Sequence, residues 1–119
     1  MGLSTHVLDT MHGTPAAHMA AALWQMQEGA PALLLLRRFV LNADGRNPDG
    51  PLIATADLHS GNYRLVFDVA AYFTGRGVDL PQPPFLGQVS IDFGIADTTR
   101  HYHVPLLVSP WSYSTYRGS

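Results

Sequence analysis

Apolar and polar residues alternate along several short segments of this chain with the two-residue period of β-strands. The segment Tyr63–Phe67 places its aromatic and leucine side chains on one face and an arginine and a valine on the other. Val89–Ile95 repeats the pattern, with serine, aspartate and glycine opposite the larger apolar residues. One buried face per strand is typical of two sheets packed face to face, so the pattern predicts a mostly β protein.

Clusters of Gly, Pro, Asn and Asp separate these apolar runs and supply the chemistry of turns. Together the runs and breaks predict about eight strands. Their predicted bounds are 3–9, 18–25, 33–41, 52–54, 62–67, 88–95, 101–109 and 112–117. No linker or repeat divides the chain, and we predict a single domain over residues 1–119.

One segment breaks the strand pattern and predicts a short helix. Asp68 stands where an N-cap residue is favoured, ahead of the run 69–73, and Gly75 or Gly77 would end the helix. The alanine run 20–22 also has helix propensity, which leaves its state open on composition alone.

Charge and composition narrow the classes of function. The seven basic residues, all arginines, and nine acidic residues give a formal net charge of −2, so the chain lacks the basic surface of a nucleic-acid-binding protein. It has no cysteine, which excludes disulfides and thiol chemistry. Because the chain shows neither a secretory leader nor an apolar stretch of membrane-spanning length, we expect a cytoplasmic protein with no membrane partner.

Histidines are the clearest candidates for chemistry. His101 and His103 lie two residues apart in a predicted strand, so their imidazoles share one face. A structural role, a metal site and acid–base catalysis all fit this pair, although a zinc site needs a third or fourth ligand.

His6 lies in the first predicted strand and would, alone, more often be a structural or surface histidine. His12, His18 and His59 fall near predicted turns and strand ends, where we expect solvent exposure.

Two further features carry polar groups. Arg46 follows the turn residues Asp44 and Gly45, and its planar guanidinium suits a flat ligand with several carbonyl oxygens. The run Tyr116–Ser119 contains a tyrosine, an arginine and a serine hydroxyl among the last residues of the sequence, where residues are usually poorly ordered and tolerant of substitution. Packing of tyrosines on the last strand remains the structural alternative.

Three motifs, in order and spacing, resemble the transthyretin-related 5-hydroxyisourate hydrolases. They are Leu3-Ser4-Thr5-His6-Val7-Leu8-Asp9-Thr10, then Ala43-Asp44-Gly45-Arg46, then His101-Tyr102-His103-Val104-Pro105-Leu106-Leu107 with the terminal Tyr116-Arg117-Gly118-Ser119. The resemblance implies an all-β, transthyretin-like β-sandwich of about eight strands in two sheets with one short helix, in which the alanine run is a strand. Leu41, Ser112 and the segment 83–87 depart from the family pattern without removing a functional side chain.

The same resemblance implies a function and a site. The function is hydrolysis of 5-hydroxyisourate, a small molecule of urate catabolism, without a metal or organic cofactor. The implied catalytic residues are His6, Arg46, His103 and Ser119, and the implied substrate-binding residues are His6, Arg46 and Tyr116. Which histidine acts as the base stays open.

The resemblance also implies an assembly, and three alternative functions compete with hydrolysis of 5-hydroxyisourate. It implies a homotetramer with interfacial sites, and the apolar residues Leu106, Leu107, Val108, Trp111 and Tyr113 suggest a face that needs partners. The first competitor is a transthyretin-type carrier of an apolar ligand, which shares the fold without catalysis. A metal-dependent hydrolase using His101, His103 and His6 is the second, and an interaction protein is the third.

Overall fold

Two four-stranded sheets, one α-helix and a short 3₁₀ helix (Thr55–Asp57) form the fold of residues 2–118, which the computed structural model describes. The strands are β1 (Leu3–Asp9), β2 (Thr14–Pro15), β3 (Ala20–Met26), β4 (Leu33–Val40), β5 (Gly61–Phe67), β6 (Val89–Ile95), β7 (Tyr102–Val108) and β8 (Tyr113–Thr115), with helix α1 (Val69–Gly75) between β5 and β6. The first sheet has the order β2-β1-β7-β8 and the second the order β4-β3-β5-β6. The predicted all-β sandwich with one helix is confirmed.

One pairing in these sheets is parallel, and it joins strands from opposite parts of the sequence. β1 lies beside β7 in a register that runs from Leu3 opposite Tyr102 to Asp9 opposite Val108, while all other neighbouring strands are antiparallel. The first motif of the sequence therefore lies directly against the third.

A single apolar core lies between the sheets. The first sheet contributes Leu3, Val7, Leu106 and Val108, and the second contributes Leu23, Leu65, Phe67 and Val89. Burial in β1 alternates strictly, so that every second residue points away from this core. The predicted interfacial role of Leu106 and Val108 is wrong, because both side chains are fully buried within the subunit.

Local patterns predicted most elements well and a few poorly. The bounds of β1 agree with the prediction, and the alanine run lies in β3, as the resemblance implied. A strand at 52–54 is wrong: only Ile53 pairs there, in one bridge with Leu3. Asp68 precedes α1 but caps no helix amide through its side chain. Its carboxylate accepts a hydrogen bond from Gln88 instead.

A buried carboxylate anchors the end of β1. Asp9 accepts hydrogen bonds from the His12 amide at 2.9 Å and from the Tyr72 hydroxyl of α1 at 2.7 Å, and it pairs with the His12 ring at 2.6 Å. Desolvation raises the pKa of Asp9, but these hydrogen bonds outweigh that effect and lower the pKa overall. His12 is exposed, as the sequence predicted, and so are His18 and His59; the pairing of His12 with Asp9 is what the sequence did not show. No helix within residues 2–118 is long and apolar enough to cross a membrane.

Candidate active site

The parallel pairing of β1 with β7 places two histidines on the outward face of the first sheet. His6 occupies an outward position of β1, and His103 stands opposite Ser4, two residues earlier on the same face. Adjacent strands lie about 4.8 Å apart, so both imidazoles occupy one small patch of the sheet. Each side chain is half-buried.

A tight turn brings Arg46 to the same patch. The side-chain oxygen of Asn42 accepts hydrogen bonds from the amides of Asp44 and Arg46, and the amide of Val7 donates to the carbonyl of Gly45 at 2.9 Å. Gly45 has a φ of 73°, and a Cβ there would lie 2.5 Å from the Val7 carbonyl oxygen. Only glycine fits this approach, which fixes Arg46 in a backbone bridge with His6.

His103 is held by contacts from two other segments. The Ser4 hydroxyl lies 2.8 Å from its Nδ1, and the amide of Gly118 donates to its backbone carbonyl at 2.8 Å. The hydroxyl on Nδ1 leaves Nε2 as the nitrogen free for chemistry. Sequence reasoning assigned no role to Ser4, although its position two residues before His6 places both side chains on one face.

The electrostatic environment keeps both imidazoles neutral. The pKa of His6 is lowered by desolvation first and by the Arg46 charge second, against opposing effects from a hydrogen bond with the Asp44 backbone and from the Asp44 charge. The pKa of His103 is lowered by desolvation and then by the charges of Arg46, His101 and His6. An imidazole with a pKa below 6.5 is unprotonated at neutral pH and can accept a proton.

His101 lies beside this group without joining it through a hydrogen bond. Its ring stacks on that of His103 with centroids 6.4 Å apart, and its Nδ1 is buried without a partner among the described residues. Within residues 2–118, no group of three His, Cys, Asp or Glu side chains is arranged to hold a metal ion, so His101, His103 and His6 do not form one.

The tail after β8 returns toward β7. Arg117 places its guanidinium 4.3 Å from the centre of the Tyr102 ring, and Gly118 pairs with His103. Tyr116, 61% exposed, lines a cavity of about 220 Å³ with Ile91 and Val104, on the core side of β7. Within one subunit the structure thus brings together His6, Arg46 and His103 but gives Tyr116 a separate location. Ser119 lies outside the described residues.

Comparison with known proteins places the chain in a family. The model of the HIUase/Transthyretin family matches residues 3–118. The 5-hydroxyisourate hydrolase 2 of Rhizobium meliloti (strain 1021) is 50% identical over 117 residues, which cover 98% of this chain and 95% of the relative.

Solved structures agree with the sequence comparison. An (S)-allantoin synthase matches with a TM-score of 0.92 and 42% identity over 99% of this chain, which spans only 43% of that protein. Sea bream transthyretin in complex with thyroxine matches with a TM-score of 0.83 and 31% identity, covering 99% of this chain and 95% of that one. With a family model over nearly every described residue and a relative that keeps half of the sequence, this protein belongs to the HIUase/Transthyretin family.

Proposed function

We propose that this protein hydrolyses 5-hydroxyisourate, the unstable product of urate oxidation, to 2-oxo-4-hydroxy-4-carboxy-5-ureidoimidazoline. The observation that carries the proposal is the grouping of two imidazoles with one guanidinium on the outward face of the first sheet, where burial and the guanidinium charge lower the pKa of both imidazoles. The name of the Rhizobium meliloti relative supplies the substrate.

Hydrolysis of a cyclic amide needs a proton acceptor for water and a positive charge for the oxyanion. Oxygen of water adds to the carbonyl carbon while a neutral imidazole, of His6 or His103, takes the proton. Arg46 stabilises the negative charge that develops on the carbonyl oxygen. The carbon–nitrogen bond then breaks, the ring nitrogen receives the proton from the imidazolium, and the new carboxylic acid releases its remaining proton to solvent and becomes a carboxylate. All of these steps use side chains of the protein, so we propose no metal or organic cofactor.

The tail completes the proposed site. Ser119 and Tyr116 would orient the substrate ring and assist proton movement. In support, the residue before Ser119 lies against His103 through the Gly118 amide. Tyr116 has an exposed side chain, which suits a contact with substrate at the edge of a subunit.

A transthyretin-type carrier is the alternative on the same fold, as the sea bream protein with bound thyroxine illustrates. A carrier of an apolar ligand gains most of its affinity from apolar lining. The outward face of this sheet carries His6, Arg46 and His103 instead, and burying a cation against an apolar ligand is costly. The polar patch therefore favours hydrolysis.

We further propose that one domain, residues 1–119, assembles as a homotetramer in the cytoplasm. Large apolar side chains remain exposed on the subunit, including Trp111 at 59% and Tyr113 at 46% on and beside the edge strand β8. Such exposed edges and aromatic side chains are typical of subunit contacts. Light scattering on active protein is expected to give the mass of four subunits, and an active monomer would contradict the assembly.

The first test is turnover of freshly made 5-hydroxyisourate, followed by absorbance against its spontaneous decay. His6→Ala and His103→Ala are each expected to lower turnover by about 10² or more, because each removes a positioned proton acceptor. A chelator should leave the wild-type rate unchanged.

His59→Ala is the matched control, because His59 is exposed and outside the site. Near-normal rates in both site variants would refute the mechanism. Binding of an iodinated aromatic ligand without any turnover would favour the carrier.

Two substitutions of Arg46 separate its charge from its geometry. Arg46→Lys keeps the charge but not the planar pair of donors, so kcat/KM is expected to fall about 10-fold or more while the acid limb of the pH profile stays in place. Arg46→Gln removes the charge that lowers the pKa of His6 and of His103, so both pKa values should rise.

The sign of this pH effect is fixed by the direction of the shifts. In the wild type, activity is expected to be lost only below the usual imidazole pKa, as pH falls through the lowered pKa values of His6 and His103. In Arg46→Gln the loss should begin at higher pH. Profiles of kcat/KM measure this, with Arg38→Lys, an exposed arginine of the other sheet, as the control. An acid limb that stays in place in Arg46→Gln would mean that Arg46 does not act on the histidines.

The tail is tested by a chain that stops at Thr115 and by a single-atom change in Tyr116. The shortened chain is expected to lose activity with little loss of melting temperature, because residues 116–118 are outside the apolar core. Tyr116→Phe should lower turnover by roughly 2- to 10-fold, the effect of one lost hydrogen bond. Tyr113→Phe removes a similarly exposed hydroxyl and should be silent. Full activity in the folded, shortened chain would remove Tyr116 and Ser119 from the site.

A further inference from the structure

The backbone of Gly118 lies close to the imidazole of His103. A Cβ built on Gly118 would lie 2.6 Å from Cδ2, 3.1 Å from Cγ and 3.1 Å from Cβ of His103. The Gly118 amide donates to the His103 carbonyl at 2.8 Å, which holds the two backbones together. A residue with a Cβ does not fit at position 118 while the His103 ring and this hydrogen bond keep their positions.

Backbone conformation does not explain this glycine. Gly118 lacks the positive φ that favours glycine, a property it shares with Gly75, Gly87 and Gly94. At Gly75 and Gly87 an added Cβ would meet nothing within 4 Å, and at Gly94 the nearest atom would lie at 3.4 Å. Gly118 is therefore required by its neighbour, and that neighbour is the imidazole.

The atoms in contact define what a methyl group would displace. Rotation of the ring about the Cβ–Cγ bond moves Cδ2 but leaves Cβ and Cγ in place, so it cannot relieve the whole contact. Either the tail moves off β7 and the hydrogen bond to the His103 carbonyl lengthens, or the imidazole tilts about the Cα–Cβ bond, which moves Cδ2 and Cγ away and leaves a small backbone shift to relieve the contact with Cβ. A tilt of the imidazole would break the 2.8 Å contact between its Nδ1 and the Ser4 hydroxyl.

We propose that Gly118 is a positioning residue for His103, acting with Ser4 to hold the imidazole from two sides. Ser4 fixes the ring through Nδ1, and the bare backbone at 118 fixes its plane and its distance from the tail. The inference rests on the proposed function for its effect on rate, but its effect on the ring itself is independent of the substrate.

Gly118→Ala tests the proposal by two readouts. The first is the pair of imidazole nitrogen shifts of His103, with their titration, in NMR spectra of the full-length protein. These shifts report tautomer and hydrogen bonding, which a role in stability alone would not change. The second is steady-state kinetics with 5-hydroxyisourate. We expect altered His103 shifts and a kcat lowered about 10- to 100-fold, with a smaller change in KM, because a small misplacement of a catalytic group is costly.

Gly87→Ala is the matched control, since its added methyl group meets nothing, and it should change neither readout. Ser4→Ala is the second variant: it leaves the tail intact and should alter the same His103 shifts. Unchanged His103 shifts in folded Gly118→Ala would overturn the proposal, whatever the rate. Altered shifts with a kcat within twofold of wild type would also overturn it. If the wild type fails to hydrolyse 5-hydroxyisourate, the proposed function falls, and the NMR comparison still decides whether Gly118 positions His103.

Discussion

The parallel pairing of β1 with β7 is the constraint on which the rest of the site depends. It sets Ser4 opposite His103 and brings His6 to the same face, although about a hundred residues separate the two strands along the chain. Side chains alternate across a strand, so a slip of one residue would turn His6 into the core and Val7 outward. The alternating burial of β1 prevents this, because Val7 is fully buried in the intersheet core. Packing on the inner face thus fixes the chemistry on the outer face.

The Arg46 guanidinium has two roles in the proposed mechanism, and they support each other. Partial burial lowers the pKa of His6 and of His103, and the charge of Arg46 lowers both further. A cation beside a base usually weakens it, but here the base needs only to be neutral at working pH and to accept a proton from water. In the proposed hydrolysis the same guanidinium then meets the negative charge that forms as the proton leaves. In the proposed mechanism one fixed cation therefore favours both the neutral imidazoles and the oxyanion.

Local patterns in the sequence predicted the strands and the helix but not the long-range pairings. Alternation in β5 and β6 identified their buried faces, because that signal lies within seven residues. The short strand β2 and the bridge at Ile53 carry no such signal, since both depend on β1 as a partner. His12 is exposed, as predicted, but its pairing with the buried Asp9 carboxylate was missed, because a neighbour in space is not visible in a turn sequence. For the site, His6, Arg46 and His103 came from the resemblance, and the contact of Ser4 with His103 came only from the structure.

Two glycines, Gly45 and Gly118, allow the turn that carries Arg46 and the tail beside His103 to approach the first sheet closely. Gly45 permits the turn that carries Arg46 to approach β1, both through its positive φ and through the space next to the Val7 carbonyl. Gly118 permits the tail to approach β7 only through the space that it leaves next to the His103 ring, because its φ is not positive. In each case a backbone hydrogen bond, from Val7 to Gly45 or from Gly118 to His103, is the contact that a methyl group would lengthen. The side chains of His6, Arg46 and His103 are exposed or half-buried and lack a core to hold them, so close backbone approach replaces side-chain packing as the means of fixing their positions.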